Sequence, residues 1–337
     1  MELTSNEIIK KLFISFSNKD SESFYQLAEE YIRLEERKKH NSVVKDLKKA
    51  LYNKDTNMIN GKRFKPELPI PRDNESGFPL LEVKKFDIPF DALILNENIK
   101  NILNQIIKET RSYEILATYN LQYKNKLLFC GLPGTGKTYS AKVLSSVLQI
   151  PLIYIKFDAI ISSYLGETAT NLRKVFEYIK NGMWVVLFDE VDIIGKNRDD
   201  HYEHGEIKRV VNNFLQMLDE FEGESLLICA TNHQHILDPA IWRRFDEVIK
   251  FELPDILERE NLINYYLKPI QKKNIDFNYF ATQTEKFSPS DIRKMCLEGM
   301  RYSITNHNNI MTSDDLEYAL SRFKERIEIR ENNNHLS

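Results

Sequence analysis

Cysteine is scarce in this 337-residue sequence: Cys130, Cys229 and Cys296 stand far apart, without metal-ligand spacing and without the even count of a disulfide framework. Reduced thiols packed in a core, and hence a cytoplasmic setting, fit that pattern. Long apolar runs are missing as well. The longest, Met183 to Phe188, falls far short of the ~20 residues that a membrane span requires. Glu2, Glu7, Lys10 and Lys11 interrupt the amino end, so no apolar signal segment opens the chain. Neither sign of charge dominates: Lys+Arg 47 against Asp+Glu 50 gives -3, which argues against a protein built mainly to coat nucleic acid. With 42% hydrophobic and 29% charged residues, and only 11 glycines and 11 prolines, neither a collagen-like chain nor wholesale disorder fits. No internal repeat or low-complexity tract is present. No His-Glu-x-x-His occurs, which excludes a fused zinc protease. What remains is a globular protein long enough for about two domains.

Residues 1–52 read as short amphipathic helices. Ile8, Ile9, Leu12, Phe13 and Phe16 follow the N-cap candidates Thr4 and Ser5; Phe24, Leu27, Ala28, Tyr31 and Leu34 follow Ser21; Val43, Leu47, Ala50 and Leu51 follow Ser42. Two roles stay open for this region, a packing hairpin or a docking module. Residues 53–85, with Pro66, Pro69, Pro71 and Pro79 among Asn, Asp, Lys and Gly, read as a linker. A helical stripe of Ile99, Leu103, Ile106 and Ile107 follows. Then Leu127–Cys130, Leu152–Ile155, Trp184–Phe188, Leu226–Ala230 and Val248–Phe251 form short runs apolar on both faces, separated by helical stretches. Such runs are the buried strands of a parallel sheet with helices on both sides, a doubly wound α/β domain expected over 86–253. Strand signals vanish after Pro254, so 254–330 reads as a smaller helical domain and 331–337 as a frayed tail.

The sharpest motif is Gly131-Leu132-Pro133-Gly134-Thr135-Gly136-Lys137-Thr138, a phosphate-binding loop placed between an apolar strand and a helix. Its glycines let successive backbone N–H groups point inward at phosphates. Lys137 would neutralise phosphate charge, and the Thr138 hydroxyl would ligate Mg2+. The strand Trp184–Phe188 ends in Asp189-Glu190. Acids at the carboxyl end of a parallel strand project into the ligand crevice. Asp189 would hold Mg2+, and Glu190 would orient and polarise the attacking water.

With Phe188-Asp189-Glu190-Val191-Asp192, Cys229-Ala230-Thr231-Asn232 and Arg243-Arg244-Phe245-Asp246, the loop forms four ordered motifs that resemble the AAA+ ATPases, within them the AAA clade, over residues 86–330. The resemblance implies a P-loop NTPase sheet of order 5-1-4-3-2 with a helical lid, ATP and Mg2+ as ligands, and an ATP-promoted ring, usually a hexamer. The nucleotide would lie among Gly131, Pro133, Gly134, Thr135, Gly136, Lys137, Thr138, Tyr139 and Asp189. Asn232 matches the polar sensor that positions water. Arg243 and Arg244 match arginine fingers that reach the neighbouring subunit's γ-phosphate. Ser163-Tyr164-Leu165-Gly166-Glu167 matches the pore loop that grips a protein substrate, with Tyr164, Leu165 and Gly166 as its working residues. A second pore loop falls in 197–205, where His201 and His204 form no metal pattern, and Glu206 and Arg209 match intersubunit contacts.

Two departures stand out. Pro289 replaces the glycine that lets backbone approach the adenine in Phe287-Ser288-Pro289-Ser290-Asp291-Ile292, and no arginine occupies the lid sensor position, Arg293 lying three residues later. The whole chain also looks like a bacterial group of single-ring AAA ATPases commonly encoded beside a subtilisin-like serine protease, in toxin–antitoxin or defence pairs. Three readings follow from the resemblance: a ring motor that threads or remodels a protein, a nucleotide-gated switch that sequesters a partner, and, fitting less well, a DNA-handling AAA+ protein.

Overall fold

The computed structural model describes residues 5–17, 21–37, 44, 69–74, 76–156, 160, 168–191, 204–233, 242–306 and 310–334. The chain divides into two compact units, Met1–Gly61 and Lys62–Ser337. In the first, helices α1 (Ser5–Ser17) and α2 (Ser21–Arg37) pack on each other with Ile8 and Ile32 buried. The third helical run expected after Ser42 lies outside the described residues apart from Val44, which is buried.

The second unit is built on one six-stranded sheet. Its strands are β1 (Glu82–Lys84), β2 (Lys126–Gly131), β3 (Leu152–Lys156), β4 (Val185–Asp189), β5 (Leu226–Thr231) and β6 (Glu247–Phe251), in the spatial order β1-β3-β4-β5-β2-β6. Read from β6, the five parallel strands give the expected 5-1-4-3-2. The addition is β1, which pairs antiparallel with β3, Glu82 opposite Tyr154 and Lys84 opposite Leu152. The sequence reading placed these residues in the linker, and the structure corrects it. A three-residue Glu-Val-Lys strand carries no periodic signal, and only its register on β3 defines it. The preceding turn is also ordered: Arg72 bridges Pro79, and Asp73, buried at 6% exposure, accepts hydrogen bonds from the Ser76 N–H and hydroxyl and from Asn171 Nδ2.

The interior strands are buried on both faces, as their continuous apolar runs demand. Leu127, Leu128 and Phe129 of β2 and Val185 to Phe188 of β4 are fully enclosed. Burying such side chains supplies roughly 1.5–3 kcal/mol each. The covering helices are α3 (Glu97–Arg111), followed by the short α4 (Tyr113–Thr118) with no buried residue, then α5 (Lys137–Leu148), α6 (Thr168–Lys180) and α7 (His204–Asp219). On one side Phe176, Phe188, Phe214 and Phe221 form an aromatic cluster, with centroids 5.2–6.2 Å apart, that fixes α6 and α7 against β4.

A second core makes the lid. Helices α8 (Ile256–Tyr266), α9 (Phe277–Gln283), α10 (Pro289–Asn306) and α11 (Ser313–Asn334) enclose Ile263, Phe280, Ile292, Met295 and Leu316, with the short parallel pair β7 (Gln271–Lys272) and β8 (Ile310–Met311) at one edge. Buried Arg259 ties α8 to α9, donating Nε to the Ala281 carbonyl at 2.7 Å and Nη1 to that of Pro254 at 2.8 Å. Helix α11 continues to Asn334, past the expected boundary at 330. Among the described residues, no helix is long and apolar enough to cross a membrane. Cys130, Cys229 and Cys296 are all buried and free, and burial pushes the Cys296 thiol up to about 12.

Candidate active site

The parallel strands all end on one edge of the sheet, and there the motifs meet. Gly131 closes β2 beside Phe251 of β6, so the phosphate-binding loop starts at the crevice where an open α/β sheet takes its ligand. Gly131 has φ +145, and a Cβ there would lie 2.1 Å from the Phe251 carbonyl oxygen. Only glycine lets the loop leave the strand this close to its neighbour. Gly134 (φ +79) faces the lid: a Cβ would meet Ser288 Oγ at 2.7 Å, and the Ser290 N–H donates to the Gly134 carbonyl at 3.2 Å.

Lys137, the first residue of α5, is 6% exposed, and its ammonium donates to the carbonyls of Gly131 and Leu132 at 2.8 Å each. Thr135 Oγ1 braces the same turn through the Leu132 carbonyl at 2.8 Å. A cation held inside a curled loop at a helix N-terminus is placed for a polyanion. Beside it, Thr138 Oγ1 donates to Asp189 Oδ2 at 3.1 Å. A hydroxyl and a carboxylate brought together by an ammonium-bearing loop form the oxygen donor set that Mg2+ takes when held with a phosphate substrate. The residues present therefore fit Mg-ATP: Lys137 and the loop amides would hold the phosphates, and Thr138 and Asp189 would hold the metal, which supplies charge neutralisation on the phosphate oxygens when bound.

Glu190 follows at the strand end with φ +58, a left-handed conformation uncommon for a non-glycine residue. Its N–H donates to Asp189 Oδ1 at 3.1 Å, and its side chain is exposed at the crevice edge. Strain of this kind, on the order of 1–3 kcal/mol, collects where a side chain must be aimed. The chain then stays beside β5, Val191 donating to the Ala230 carbonyl at 3.1 Å, and Asn232 sits just beyond the end of that strand, half-buried. Asp189, Glu190 and Asn232 thus share one end of adjacent strands.

Tyr139, on the first turn of α5, turns toward the lid. Burial, then the charges and hydrogen bond of Tyr265 and the nearby Tyr266, push its phenol up to about 12, while Arg293 pulls the other way. Arg293 belongs to α10. Pro289 takes the first position of α10, where no N–H is needed, and Ser288 caps the helix reciprocally with Asp291, its hydroxyl donating to Asp291 Oδ2 at 2.6 Å.

The two arginines are elsewhere. Arg243 and Arg244 precede β6, and Asp246, two residues on, accepts from the N–H groups of Asn125 and Lys126 at the start of β2. They lie at the amino-terminal edge of the sheet, a strand length from the phosphate loop. Arg243 is exposed, and Arg244 Nε donates to Asp219 Oδ2 at 2.7 Å. Tyr164, Leu165 and Gly166 lie outside the described residues, as does His201; Glu206 and Arg209 fall in the first half of α7. Among the described residues, no cluster of His, Cys, Asp and Glu suited to a further metal is present.

Two residues escaped the sequence reading. Tyr154 donates its hydroxyl to Asp189 Oδ2 at 2.9 Å, and Asp219 pairs with Arg244. Neither was readable locally: Tyr154 shares a sheet face with Asp189 through the register that sets it opposite Leu187, and the Asp219–Arg244 pair leaves no local signal.

Residues 127–253 match the model of the ATPase family associated with various cellular activities (AAA). The chain is 33% identical to the protein named "Uncharacterized AAA family ATPase y4kL" of Sinorhizobium fredii, over 94% of this chain and 95% of that protein. It is 32% identical to a protein named proteasome-activating nucleotidase of Saccharolobus solfataricus over 68% of this chain and 60% of the relative, and 27% identical to one from Methanococcus maripaludis over 75% and 64%. The match thus spans less than two thirds of the length of these archaeal relatives. With a phosphate loop, an acidic strand end and Asn232 gathered at one end of the sheet, the chain belongs to the AAA family of ATPases and hydrolyses ATP with Mg2+ as the cofactor.

Proposed function

We propose that this ATPase works as an ATP-promoted homo-oligomeric ring, a hexamer, that remodels or threads a protein substrate. The observation that carries the reading is the separation of Arg243 and Arg244 from the phosphate loop of their own chain. Their guanidiniums are too far from Lys137 to serve its ligand, whereas a neighbouring copy could receive them. The names of the archaeal relatives, proteasome-activating nucleotidase, support a protein substrate. The Ser163–Glu167 motif supports the grip, with Tyr164 as the paddle. Lys137, Thr138, Asp189, Glu190 and Asn232 take the catalytic roles given above.

For the partner, we propose a subtilisin-like serine protease acting with the ATPase in a toxin–antitoxin or defence pair, on the strength of the sequence resemblance. Gel filtration with and without ATP, followed by mass identification of co-purifying proteins, tests both points. An ATP-dependent shift to a six-fold species with a protease attached is the expected result. A monomer at all nucleotide and protein concentrations would overturn the ring. Tyr164→Ala then separates threading from gating: a motor loses its action on the partner while hydrolysis falls no more than a few-fold, whereas a sequestering switch keeps that action.

A further inference from the structure

The carboxylate of Asp189 carries more hydrogen bonds than the phosphate-loop and acidic-strand motifs account for. Oδ2 accepts from Thr138 Oγ1 at 3.1 Å and from the Tyr154 hydroxyl at 2.9 Å, and Oδ1 accepts from the Glu190 N–H at 3.1 Å. Tyr154 reaches it by strand geometry. Strands β3 and β4 run parallel with Tyr154 opposite Leu187 and Lys156 opposite Asp189, so the tyrosine and the aspartate are diagonal neighbours on one face. A phenol is long enough to span that diagonal along the strand direction, as a serine or threonine would not be. The ring is held from its other side by β1: Glu82 is its register partner, and Lys84, itself paired with Glu82, places its ammonium 5.7 Å from the ring centroid.

We propose that Tyr154 is a positioning residue for the metal site: it fixes the plane of the Asp189 carboxylate so that Asp189 and Thr138 present a preset oxygen pair to Mg2+. The proposal rests on the assignment of Asp189 and Thr138 as the metal-holding residues. Its physical basis is the usual one for a carboxylate ligand, which loses affinity when free to rotate and gains it when a second donor fixes its orientation. The Thr138 hydroxyl keeps lone pairs for a cation while its proton goes to Asp189. Without Tyr154, Oδ2 would keep only the Thr138 hydroxyl among the donors described, and Thr138 would have to restrain that oxygen and serve the metal, with the Glu190 N–H left on Oδ1. The antiparallel edge strand β1 acquires a purpose in the same step, since it encloses the ring whose hydroxyl does the work.

Tyr154→Phe keeps the ring and deletes the donor. Binding of a fluorescent ATP analogue to the full chain is measured in EDTA and then across a Mg2+ titration, together with the melting temperature of the nucleotide-free protein. We expect wild-type affinity in EDTA, a melting temperature within a few degrees of wild type, and a half-maximal Mg2+ concentration raised about tenfold. The double variant Tyr154→Phe/Asp189→Asn should match Asp189→Asn alone, because the Tyr154 hydroxyl acts on the metal site through that carboxylate. A wild-type Mg2+ titration in Tyr154→Phe, additive effects in the double variant, or loss of folding in Tyr154→Phe overturns the proposal. If Asp189→Asn itself leaves the Mg2+ dependence unchanged, the metal-site assignment fails and the positioning role falls with it.

Discussion

Arg244 is tied to Asp219 within its own chain, Nε to Oδ2 at 2.7 Å, while its neighbour Arg243 is exposed. The pair joins the end of α7 to the turn before β6. Both partners are partly exposed, 29% and 47% at the side chain, so the bond contributes no more than ~1 kcal/mol and can be exchanged for a stronger phosphate contact at little cost.

Arg243 and Arg244 are therefore expected to act in trans. Hydrolysis per subunit should rise steeply with protein concentration as copies associate. Arg243→Ala and Arg244→Ala should each flatten that rise and lower the assembled rate by roughly 10³-fold, with ATP affinity little changed. Steady-state hydrolysis from well below micromolar upward, paired with nucleotide binding, checks this. A specific activity independent of concentration would count against a shared site.

Lys137 and Glu190 should fail in different ways. The Lys137 ammonium is buried among loop carbonyls, so Lys137→Ala removes the charge that faces the phosphates and should abolish tight nucleotide binding. Glu190 is exposed at the crevice edge and contributes through its carboxylate, so Glu190→Gln should bind ATP normally yet turn over about 10²-fold slower or worse. Equilibrium binding and single-turnover hydrolysis separate the two. Tight binding by the lysine variant, or normal turnover by the glutamine variant, would sink the assignment.

How much of this was legible in the sequence varies with how local each signal is. The five parallel strands and the phosphate loop were readable because continuous apolar runs and a glycine pattern are properties of adjacent residues. The sixth strand, Glu82–Lys84, was not, since its existence depends on pairing with β3. Tyr154 looked like one more strand aromatic until its register with β4 brought it to Asp189. Pro289 stood out in the sequence as a replaced glycine, and the structure adds that it takes the first position of a capped helix. Arg243 and Arg244 were picked out by motif, but only the strand direction of β6 places them at the far edge from the loop.

Gly131→Ala should damage the fold before it touches catalysis. The new methyl would sit 2.1 Å from the Phe251 carbonyl oxygen at φ +145, and backbone is not free to retreat as a side-chain tip would be. Strain and displacement together should lower the melting temperature of the nucleotide-free protein by ~5 °C or more. Gly136→Ala is the comparison. Its nearest neighbour is Leu95 Cδ2 at 3.8 Å, so the φ of +109 alone is strained there and the loss should be smaller. Equal melting temperatures for the two variants would show that the close approach of β2 and β6 does not govern stability.

The last prediction concerns Asp73, whose carboxylate fastens the strap ahead of β1 to the body of the domain. Oδ2 accepts from Asn171 Nδ2 at 2.7 Å in a buried contact on α6, and Oδ1 closes the local turn with Ser76. Lys174 on the same helix adds bonds to the Arg72 carbonyl and Asn74 Oδ1 at 3.0 and 2.7 Å. Strand β1 meanwhile pairs with β3. The strap therefore grips the elements on both sides of residues 157–167, the stretch that carries Tyr164. Asp73→Ala removes the buried bond from Asn171 Nδ2 and opens the turn, a loss of roughly 2–3 kcal/mol concentrated at the strap. Limited proteolysis should then cut within 70–81 well before the rest of the domain, while the melting temperature of the whole falls by ~5 °C or more. Because the carboxylate bonds described for Asp73 go to Ser76 and Asn171, ATP affinity should stay near wild type. Should Asp73→Ala resist proteolysis as wild type does, the Lys174 bonds and β1 suffice to hold the strap and Asp73 serves only its own turn.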